Sequence, residues 1–404
     1  MQAHSASTLR SVATAALLAA PVLVQAQCGG DASVHQALLE SVRHGIVKLE
    51  TLGGPDELCR SESTGFIVAI DKDALLIATA RHAMPDHEQC KKAGVKLYAR
   101  FPQSPGKLVE LTLKTDSRID LALYQAAAAD VAVPGAKRLA CPLPLGNHLR
   151  PIDQIVFFGY FPGDTKQALP YSGRIDDDPI AGGHKQRICG PIDKGTSGGP
   201  AFGSKGQVVG VVTERMLKDA AGNAVVGKGW IVPAEDAKST FASLLPAATP
   251  DAAYCTQGAG FDLTKAATPE LIKSLPQTIE VPYHLSKLRD DHDPLQAADA
   301  AKWAAAQLAG NKGAQVRYPR TYYEKFAAVD GYRFDAVSGI ELLSRNLPSE
   351  PVPSVKCESK EDCIQFSDNR RTMIVNYRLW SGPKGIDETR GWIDMVIKTR
   401  QSKQ

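Results

Sequence analysis

The sequence lacks an excess of charge of either sign. Its 404 residues include 47 Lys and Arg and 44 Asp and Glu, a formal net charge of +3. Such a balance leaves no electrostatic footprint for nucleic acid and no attraction to a membrane surface, so neither partner is expected. Hydrophobic residues make up 43% of the chain, which is ordinary for a globular protein long enough for two domains.

Long apolar runs are also scarce, and the one candidate lies at the N-terminus. The run "SVATAALLAAPVLV" follows Arg10, contains Pro21 and ends at the small-residue site "VQA". It is too short and interrupted for a spanning helix and matches a secretory signal, residues 1–26, cleaved after Ala26. Gln27 stands where lipoprotein cleavage needs a small residue, which disfavours a lipid anchor at Cys28. We expect export to the periplasm or the medium, without stable membrane insertion afterwards.

The chain also lacks CxxC pairs and clustered Cys/His spacings, so no metal site is expected, nor any other cofactor. What it has in abundance is short β-rich runs between His44 and about Leu245. Glycine, proline and aspartate separate these runs, a pattern typical of a sandwich or barrel. A short closing helix is predicted at "PAEDAKSTFASLL". The strand runs are "GIVKLE", "TGFIVAI", "ALLIATA", "VKLYARF", "LVELTL", "QIVFFGYF", "QVVGVVTE" and "GKGWIV".

A change of composition marks a second part of the chain. A Pro/Ala/Gly-rich linker is predicted at 247–260, followed by a small α+β domain at 261–404. Its helix is predicted at "DPLQAADAAKWAAAQLAG", which has an Asp N-cap, Pro at the first helical position and a closing Gly. Strands are predicted at "TMIVNYRLW" and "GWIDMVIKT". The segment "RYPRTYYEKF" is interpreted as an amphipathic helix that packs its tyrosines, with stacking on a ligand as the alternative.

Three polar residues at strand ends suggest chemistry in the first part. Ser197 lies in "GPIDKGTSGGPAF", where dense glycines suit a tight turn that presents N–H groups outward, although a plain surface turn is the alternative. His82 follows the run "ALLIATA", and Asp120 precedes "LALYQ". A serine hydroxyl needs an imidazole to take its proton, and the imidazole needs an anion to orient it. The order His, Asp, Ser is one of the known orders of such a triad.

Each candidate has a plain alternative. An isolated His82 is most often an ordinary core or capped histidine, and Asp116 is a rival for Asp120. Only Asp120 directly precedes the Leu-Ala-Leu strand, which favours it. His87 and His184 are interpreted as solvated loop residues.

Five segments together resemble the trypsin-like serine proteases, with the Deg/Htr and glutamyl-endopeptidase branches most similar. They are "STGFIV", "TARHAM", "DLAL", "GTSGGP" and "QVVGVVT", and the resemblance covers residues 44–245. It implies a double six-stranded β-barrel protease domain, assigned here to 27–246. It also implies that His82 is the general base, Asp120 its orienting anion and Ser197 the nucleophile. The N–H groups of Gly195 and Ser197 would form the oxyanion hole.

The resemblance has departures that bear on activation and specificity. Thr196 replaces the aspartate that captures a new N-terminus in the digestive enzymes. Pro191 replaces the acidic residue that favours Lys and Arg, and Val212 replaces the histidine of the glutamate-specific branch. An apolar preference is therefore expected, unless Asp193 turns into the pocket. No peptide-binding loop of the Deg/Htr type follows residue 246. The pocket candidates are Pro191, Asp193, Val212, Thr213 and Glu214, with Arg215 near the rim.

All eight cysteines lie beyond the signal, and an even count in an exported chain predicts disulfides. Cys59 and Cys90 flank the segment carrying His82, and Cys357 and Cys363 are close enough for a local ring. Sequence does not determine connectivity, and we favour Cys141 with Cys189 and Cys28 with Cys255 for the rest.

The hypothesis from sequence is an exported serine endopeptidase that cleaves polypeptides. Its C-terminal domain is a candidate for binding a substrate or a partner protein. The alternatives are an inactive protease-fold binding protein and an esterase using the same triad.

Overall fold

The computed structural model of the protein describes most of the chain from the first helix to the C-terminus. The described residues are 32–53, 57–71, 73–131, 142–143, 145–146, 153–161, 167–176, 184–192, 194–216, 225, 227–246, 262–263, 265–288, 318–345, 352–357, 362–367, 369–381 and 392–404. The predicted signal (1–26), the linker (247–260) and the predicted helix at 293–310 lie outside them. No helix among these residues is long and apolar enough to span a membrane.

The first part of the chain begins with a helix and then forms a seven-stranded antiparallel sheet. The helix α1 (Ala32–Val42) is almost wholly buried. The strand order of the sheet is β5-β4-β1-β2-β3-β7-β6. Short helices α2 (Glu88–Lys92) and α3 (Ala128–Val131) lie between or after its strands. The strands are β1 (Ile46–Leu52), β2 (Glu62–Asp71), β3 (Ala74–Ala80), β4 (Lys96–Phe101), β5 (Ser104–Glu110), β6 (Thr112–Ser117) and β7 (Leu121–Ala127).

Six further strands close into a barrel in the order β10-β13-β12-β11-β8-β9. Helix α4 (Ala234–Phe241) follows the last of them. The expected pair of barrels is thus present as a curled half-barrel sheet and one closed barrel. The strands are β8 (Gln154–Tyr160), β9 (Ala168–Ile175), β10 (Gln186–Cys189), β11 (Pro200–Phe202), β12 (Val208–Arg215) and β13 (Lys228–Pro233).

Alternation along the strands builds three apolar layers. Leu75 and Ile77 of β3 point into the core of the first sheet, whereas Leu76 and Ala78 point into the layer between the two sheets. Strand β8 does the same on the other side: Phe157 enters the barrel interior and its neighbours face the shared layer. Burial on both faces explains why these strands are continuous apolar runs. The shared apolar layer fixes the first sheet and the barrel relative to each other.

The predicted strand runs are confirmed with small shifts, except that "LVELTL" divides between β5 and β6 with Leu111 between them. The predicted closing helix is present as α4. The sequence interpretation missed β9, β10 and β11 as well as α1. These strands are short or contain proline and glycine, so their alternation is weak in the sequence.

The C-terminal part forms two three-stranded antiparallel sheets, ordered β14-β19-β16 and β15-β18-β17. Its described helix is the short α5 (Pro269–Ser274), whose Thr268 hydroxyl accepts the Leu271 N–H. An apolar cluster between the sheets joins them. The α+β class remains a prediction, because the helix it rests on lies outside the described residues. The strands are β14 (Thr278–Leu288), β15 (Tyr318–Ala327), β16 (Tyr332–Arg345), β17 (Ile364–Phe366), β18 (Thr372–Ser381) and β19 (Trp392–Lys403).

The predicted helix at "RYPRTYYEKF" is wrong, because Tyr318–Ala327 is the strand β15. Tyr322 and Phe326 face the cluster between the sheets, and the Tyr322 ring stacks on Tyr377 at 5.8 Å. Tyr323 is 64% exposed on the opposite face. A spacing of four residues returns to the same side of a strand as well as of a helix, so the tyrosine spacing was ambiguous. The two predicted C-terminal strands are confirmed as β18 and β19.

Two of the predicted disulfides are present, Cys59–Cys90 and Cys357–Cys363. Cys189 is also disulfide-bonded, and no described cysteine is free. Cys28, Cys141 and Cys255 lie outside the described residues, so the other pairings remain predictions. The Cys59–Cys90 bridge ties the segment before β2 to α2, just beyond His82.

The two bridges should differ in their effect on stability. The Cys59–Cys90 bridge closes a separation of 31 residues and the Cys357–Cys363 bridge one of 6. Loop-closure entropy predicts that replacing Cys59 and Cys90 by serine lowers the free energy of unfolding by about 3–4 kcal/mol, against about 2 kcal/mol for the other pair. Denaturant unfolding of both double variants measures this. An equal or reversed order would contradict the entropic account.

Candidate active site

The pairing of β3 with β7 brings His82 and Asp120 together. Ala80, the last residue of β3, lies opposite Leu121, the first residue of β7. The next position beyond each strand continues this contact, because the Arg81 N–H donates to the Asp120 carbonyl at 3.1 Å. His82 follows in a 3₁₀ turn. The sheet therefore sets the distance between the two residues before their side chains interact.

Asp120 holds His82 by both its backbone and its ring. The His82 N–H donates to Asp120 Oδ1 at 3.2 Å, and His82 Nδ1 lies 3.0 Å from Oδ2 and 3.1 Å from Oδ1. Asp120 itself has φ 66°, in the left-handed region that aspartate tolerates better than most residues. This contact places an N–H on Nδ1 and leaves Nε2 as the ring's proton acceptor.

The environment of Asp120 keeps its carboxylate ionised. Burial alone raises the pKa of Asp120, but hydrogen bonds from His82 and the charges of His82 and Lys185 hold that pKa below its usual value. A carboxylate with a lowered pKa stabilises the fold above the ordinary aspartate range, and loses this effect only as the pH falls through the lowered pKa. Asp120 is therefore an anion at neutral pH.

The rival residues lie in other contacts. Asp116 faces Arg81, with 3.4 Å between Oδ2 and Nε, and makes no hydrogen bond to His82 among the described residues. His87 is the residue before α2. His184 is 63% exposed and lies 3.4 Å from Asp236.

Ser197 sits in a turn that is pressed between the two sheets. Gly198 has φ 84°, and a Cβ there would lie 2.0 Å from Thr79 Oγ1 and 2.8 Å from the Ala80 nitrogen. Because Ala80 is two residues before His82, this packing brings the serine turn to the end of β3. Only glycine fits such a position. Within 195–200, Ser197 is partly exposed while the other residues are buried.

The Ser197 hydroxyl does not contact His82 in this structure. It donates to the Thr213 carbonyl at 2.7 Å, and no hydrogen bond joins it to His82 within the described part of the chain. Catalytic hydrogen bonds are often open in the absence of substrate.

Thr64 fixes the peptide next to the serine. Its hydroxyl donates to the Gly195 carbonyl and accepts the Tyr160 N–H at 3.0 Å, and its own N–H donates to the Ser197 carbonyl at 2.9 Å. Thr64 is wholly buried on β2, so these bonds join the first sheet, the barrel and the serine turn. With Gly195 at φ 90°, the carbonyls on both sides of Thr196 are held toward the first sheet.

The N–H groups of Gly195 and Ser197 remain available. No described residue accepts a hydrogen bond from either of them. An oxygen anion is bound in proteins where two such N–H groups converge on one point.

Buried apolar residues are packed beside the serine turn, where the Val212 N–H donates to the Gly199 carbonyl, and we call Pro191, Ile192 and Val212 the apolar wall. Pro191 and Val212 are buried, and the Thr213 hydroxyl donates to the Trp230 carbonyl. Ile192 is 2% exposed, and its Cγ1 lies 2.3 Å from where a Cβ on Gly229 would be. Asp193 lies outside the described residues, so its side chain is not placed.

The charged candidate Glu214 pairs with a lysine rather than entering this wall. Lys185 Nζ lies 2.7 Å from Glu214 Oε1 and 3.8 Å from Asp120 Oδ2. Glu214 is about half exposed at the rim. Lys185 thus forms an ion pair with the carboxylate of Glu214 and places a positive charge near Asp120.

Sequence reasoning did not identify Thr64, Ile192 or Lys185 as site residues. Thr64 lies inside the segment "STGFIV" and Ile192 inside "GPIDKGTSGGPAF". Both segments were recognised as motifs, but nothing in them pointed to the roles of these two side chains. Lys185 had none, because its contact with Glu214 depends on the barrel, in which β13 lies between β10 and β12.

Comparison with known proteins identifies the domain. Residues 63–211, from β2 into β12, match the trypsin-like peptidase domain family. The crystal structure of the Rv3671c protease in its inactive form is similar at 21% identity over 54% of this chain and 97% of that one, with a TM-score of 0.36. No curated protein matches the chain. The family match covers only this part of the chain, and it supports a trypsin-like peptidase domain there.

The role of Thr64 is testable by removing its hydroxyl. Thr64→Val keeps the shape but removes the hydroxyl that accepts the Tyr160 N–H and donates to the Gly195 carbonyl, at about 1–3 kcal/mol for each buried hydrogen bond lost. Thr64→Ser keeps the hydroxyl and serves as the control. Urea unfolding is expected to show a clearly larger loss for valine, and equal stabilities would show that the hydroxyl does not hold the turn.

Proposed function

We propose that the protein is an exported serine endopeptidase in which Ser197, His82 and Asp120 act as one catalytic unit. The observation that carries the proposal is the fixed His82–Asp120 pair beside a glycine turn in which Ser197 is partly exposed and the N–H groups of Gly195 and Ser197 donate to no described residue. The trypsin-like peptidase domain supports the same chemistry.

The reaction begins when the Ser197 hydroxyl turns from the Thr213 carbonyl to His82. His82 Nε2 takes the hydroxyl proton while Oγ attacks the substrate carbonyl carbon. The carbonyl π electrons move to oxygen, which becomes an anion bound by the N–H groups of Gly195 and Ser197. Losing one such donor typically costs about 2.7–4 kcal/mol of transition-state stabilisation.

The intermediate collapses when His82 returns its proton to the leaving nitrogen. The C–N bond breaks, the amine departs and an ester to Ser197 remains. A water molecule then repeats the sequence: His82 takes its proton, the oxygen attacks the ester, and the proton returns to Ser197 Oγ as the acid product leaves. Asp120 holds the imidazole orientation throughout and stabilises its charged form.

Export is supported by the signal-like N-terminus and by the disulfides. Stable disulfides are typical of oxidising compartments such as the periplasm or the medium. The bridges at Cys59–Cys90 and Cys357–Cys363 fit this location.

The described wall beside the serine supports a preference for small or medium apolar residues before the scissile bond. Ile192, Pro191 and Val212 are apolar and buried, and the charged Glu214 is engaged by Lys185. A charged substrate side chain would be buried there without a partner, which costs several kcal/mol.

The catalytic unit is tested by single and double substitutions. Ser197→Ala and His82→Ala are each expected to reduce kcat for peptide hydrolysis by at least about 10⁴-fold, and the double variant by little more, because the members act together. Ser204→Ala, a partly buried serine in the turn after β11, is the matched control and should keep full activity. A folded Ser197→Ala protein with unchanged kcat would remove the proposal.

The pocket is tested by digesting a peptide library. The wild-type protein should cut after small or medium apolar residues, and Ile192→Ala should extend cleavage to larger ones because it opens space next to Gly229. Cuts that cluster after Lys and Arg, and lose that bias in Asp193→Asn, would reject the apolar pocket. A protein that labels with a fluorophosphonate but cuts no peptide would instead be an esterase.

A further inference from the structure

A buried carboxylate of the C-terminal part faces the protease barrel. Strand β19 alternates: Ile393, Met395 and Ile397 enter the cluster between the two C-terminal sheets. Val396 points the other way and joins the apolar cluster of the barrel interior. Asp394 lies on the same side as Val396 and is 1% exposed. A carboxylate this deeply buried requires hydrogen-bond partners to be tolerated.

Its partners come from both parts of the chain. Asp394 Oδ1 lies 2.6 Å from His284 Nε2 on the neighbouring strand β14, and Oδ2 accepts the N–H of Gly227 from the protease part at 3.2 Å. Gly227 has φ 63°, and a Cβ there would lie 2.9 Å from Ser286 Oγ and 3.1 Å from His284 Cε1. The glycine thus lets its backbone press directly against β14.

Gly227 and its chain neighbour Gly229 contact the segment that carries Pro191 and Ile192 of the apolar wall. The Gly227 carbonyl accepts the Gly190 N–H at 2.9 Å, one residue before Pro191. Two residues further on, Gly229 touches Ile192 and pairs with Arg215. Asp394 therefore holds a backbone segment that hydrogen-bonds next to Pro191 and packs against Ile192.

The rest of the contact is extensive, so the C-terminal sheet is docked rather than loosely attached. Lys398 Nζ lies 5.4 Å from the centre of the Phe161 ring, next to the barrel strand β8. Gly339 of β16 approaches the same ring closely. A sheet fixed at several points can hold Asp394 in one place.

We propose that Asp394 and His284 are positioning residues for peptide binding, so that the C-terminal part completes the substrate pocket of the protease part. The inference rests on the proposed function for its reaction. Asp394 touches neither substrate nor triad; it acts by fixing Gly227, and through it the wall formed by Pro191, Ile192 and Gly229.

The test separates peptide binding from chemistry. Asp394→Val removes both acceptors, and the lost charged hydrogen bond is expected to raise KM for a peptide substrate about 10–100-fold, with a smaller change in kcat. Asp394→Asn keeps an oxygen for the Gly227 N–H and should restore most of the binding. Labelling of Ser197 by a small fluorophosphonate, which does not need the pocket wall, should proceed at the wild-type rate in both variants.

Each result decides between the two proposals. A wild-type protein that takes no label would count against the proposed function, whereas normal labelling with an unchanged KM in Asp394→Val would overturn the positioning role. Should that variant not fold, the comparison is made with His284→Leu, which leaves the carboxylate without its orienting partner. Hydrogen exchange of the wild-type protein completes the test: the Gly227 amide should exchange as slowly as the barrel core, and fast exchange would overturn the proposal.

Discussion

The close packing of one glycine between two sheets is the constraint on which the site depends. Gly198 leaves no room for a side chain because Thr79 and the Thr64 carbonyl occupy that space. This contact seats the serine turn of the barrel against β3, which ends two residues before His82. The Thr64 hydroxyl then donates to the Gly195 carbonyl and holds that carbonyl toward the first sheet. The position of the serine turn relative to His82 therefore follows from backbone packing rather than from side-chain contacts between the two.

The same logic extends to the C-terminal part of the chain. Trypsin-like pockets are built from loops, which are the most deformable part of a β-barrel fold. In this protein a carboxylate from a separate sheet binds one of those backbones at Gly227, and Val396 continues the barrel's apolar cluster. Under the positioning proposal, this contact lets the second part of the chain act on the region where substrate specificity would be set.

Strong local signals in the sequence predicted much of this architecture. The runs ending at Ala80 and beginning at Leu121 are apolar on both faces, and their polar flanking residues are His82 and Asp120, which the β-sheet brings together. The sequence was ambiguous where a spacing fits both a helix and a strand. Tyr322 and Phe326 are four residues apart, and this spacing places two side chains on the same face of either element. Contacts that depend on closure of the barrel or docking of a sheet, such as Lys185 with Glu214 and Asp394 with Gly227, leave no local pattern and required the structure.

The central claim is that Ser197 is a nucleophile once it turns from Thr213 to His82. The most direct measurement is mass spectrometry of the folded protein after reaction with a fluorophosphonate, with the adduct mapped to a residue. The account predicts a single adduct on Ser197 that is lost when His82 is replaced by alanine. An adduct on another residue, or none on a correctly folded protein, would contradict it.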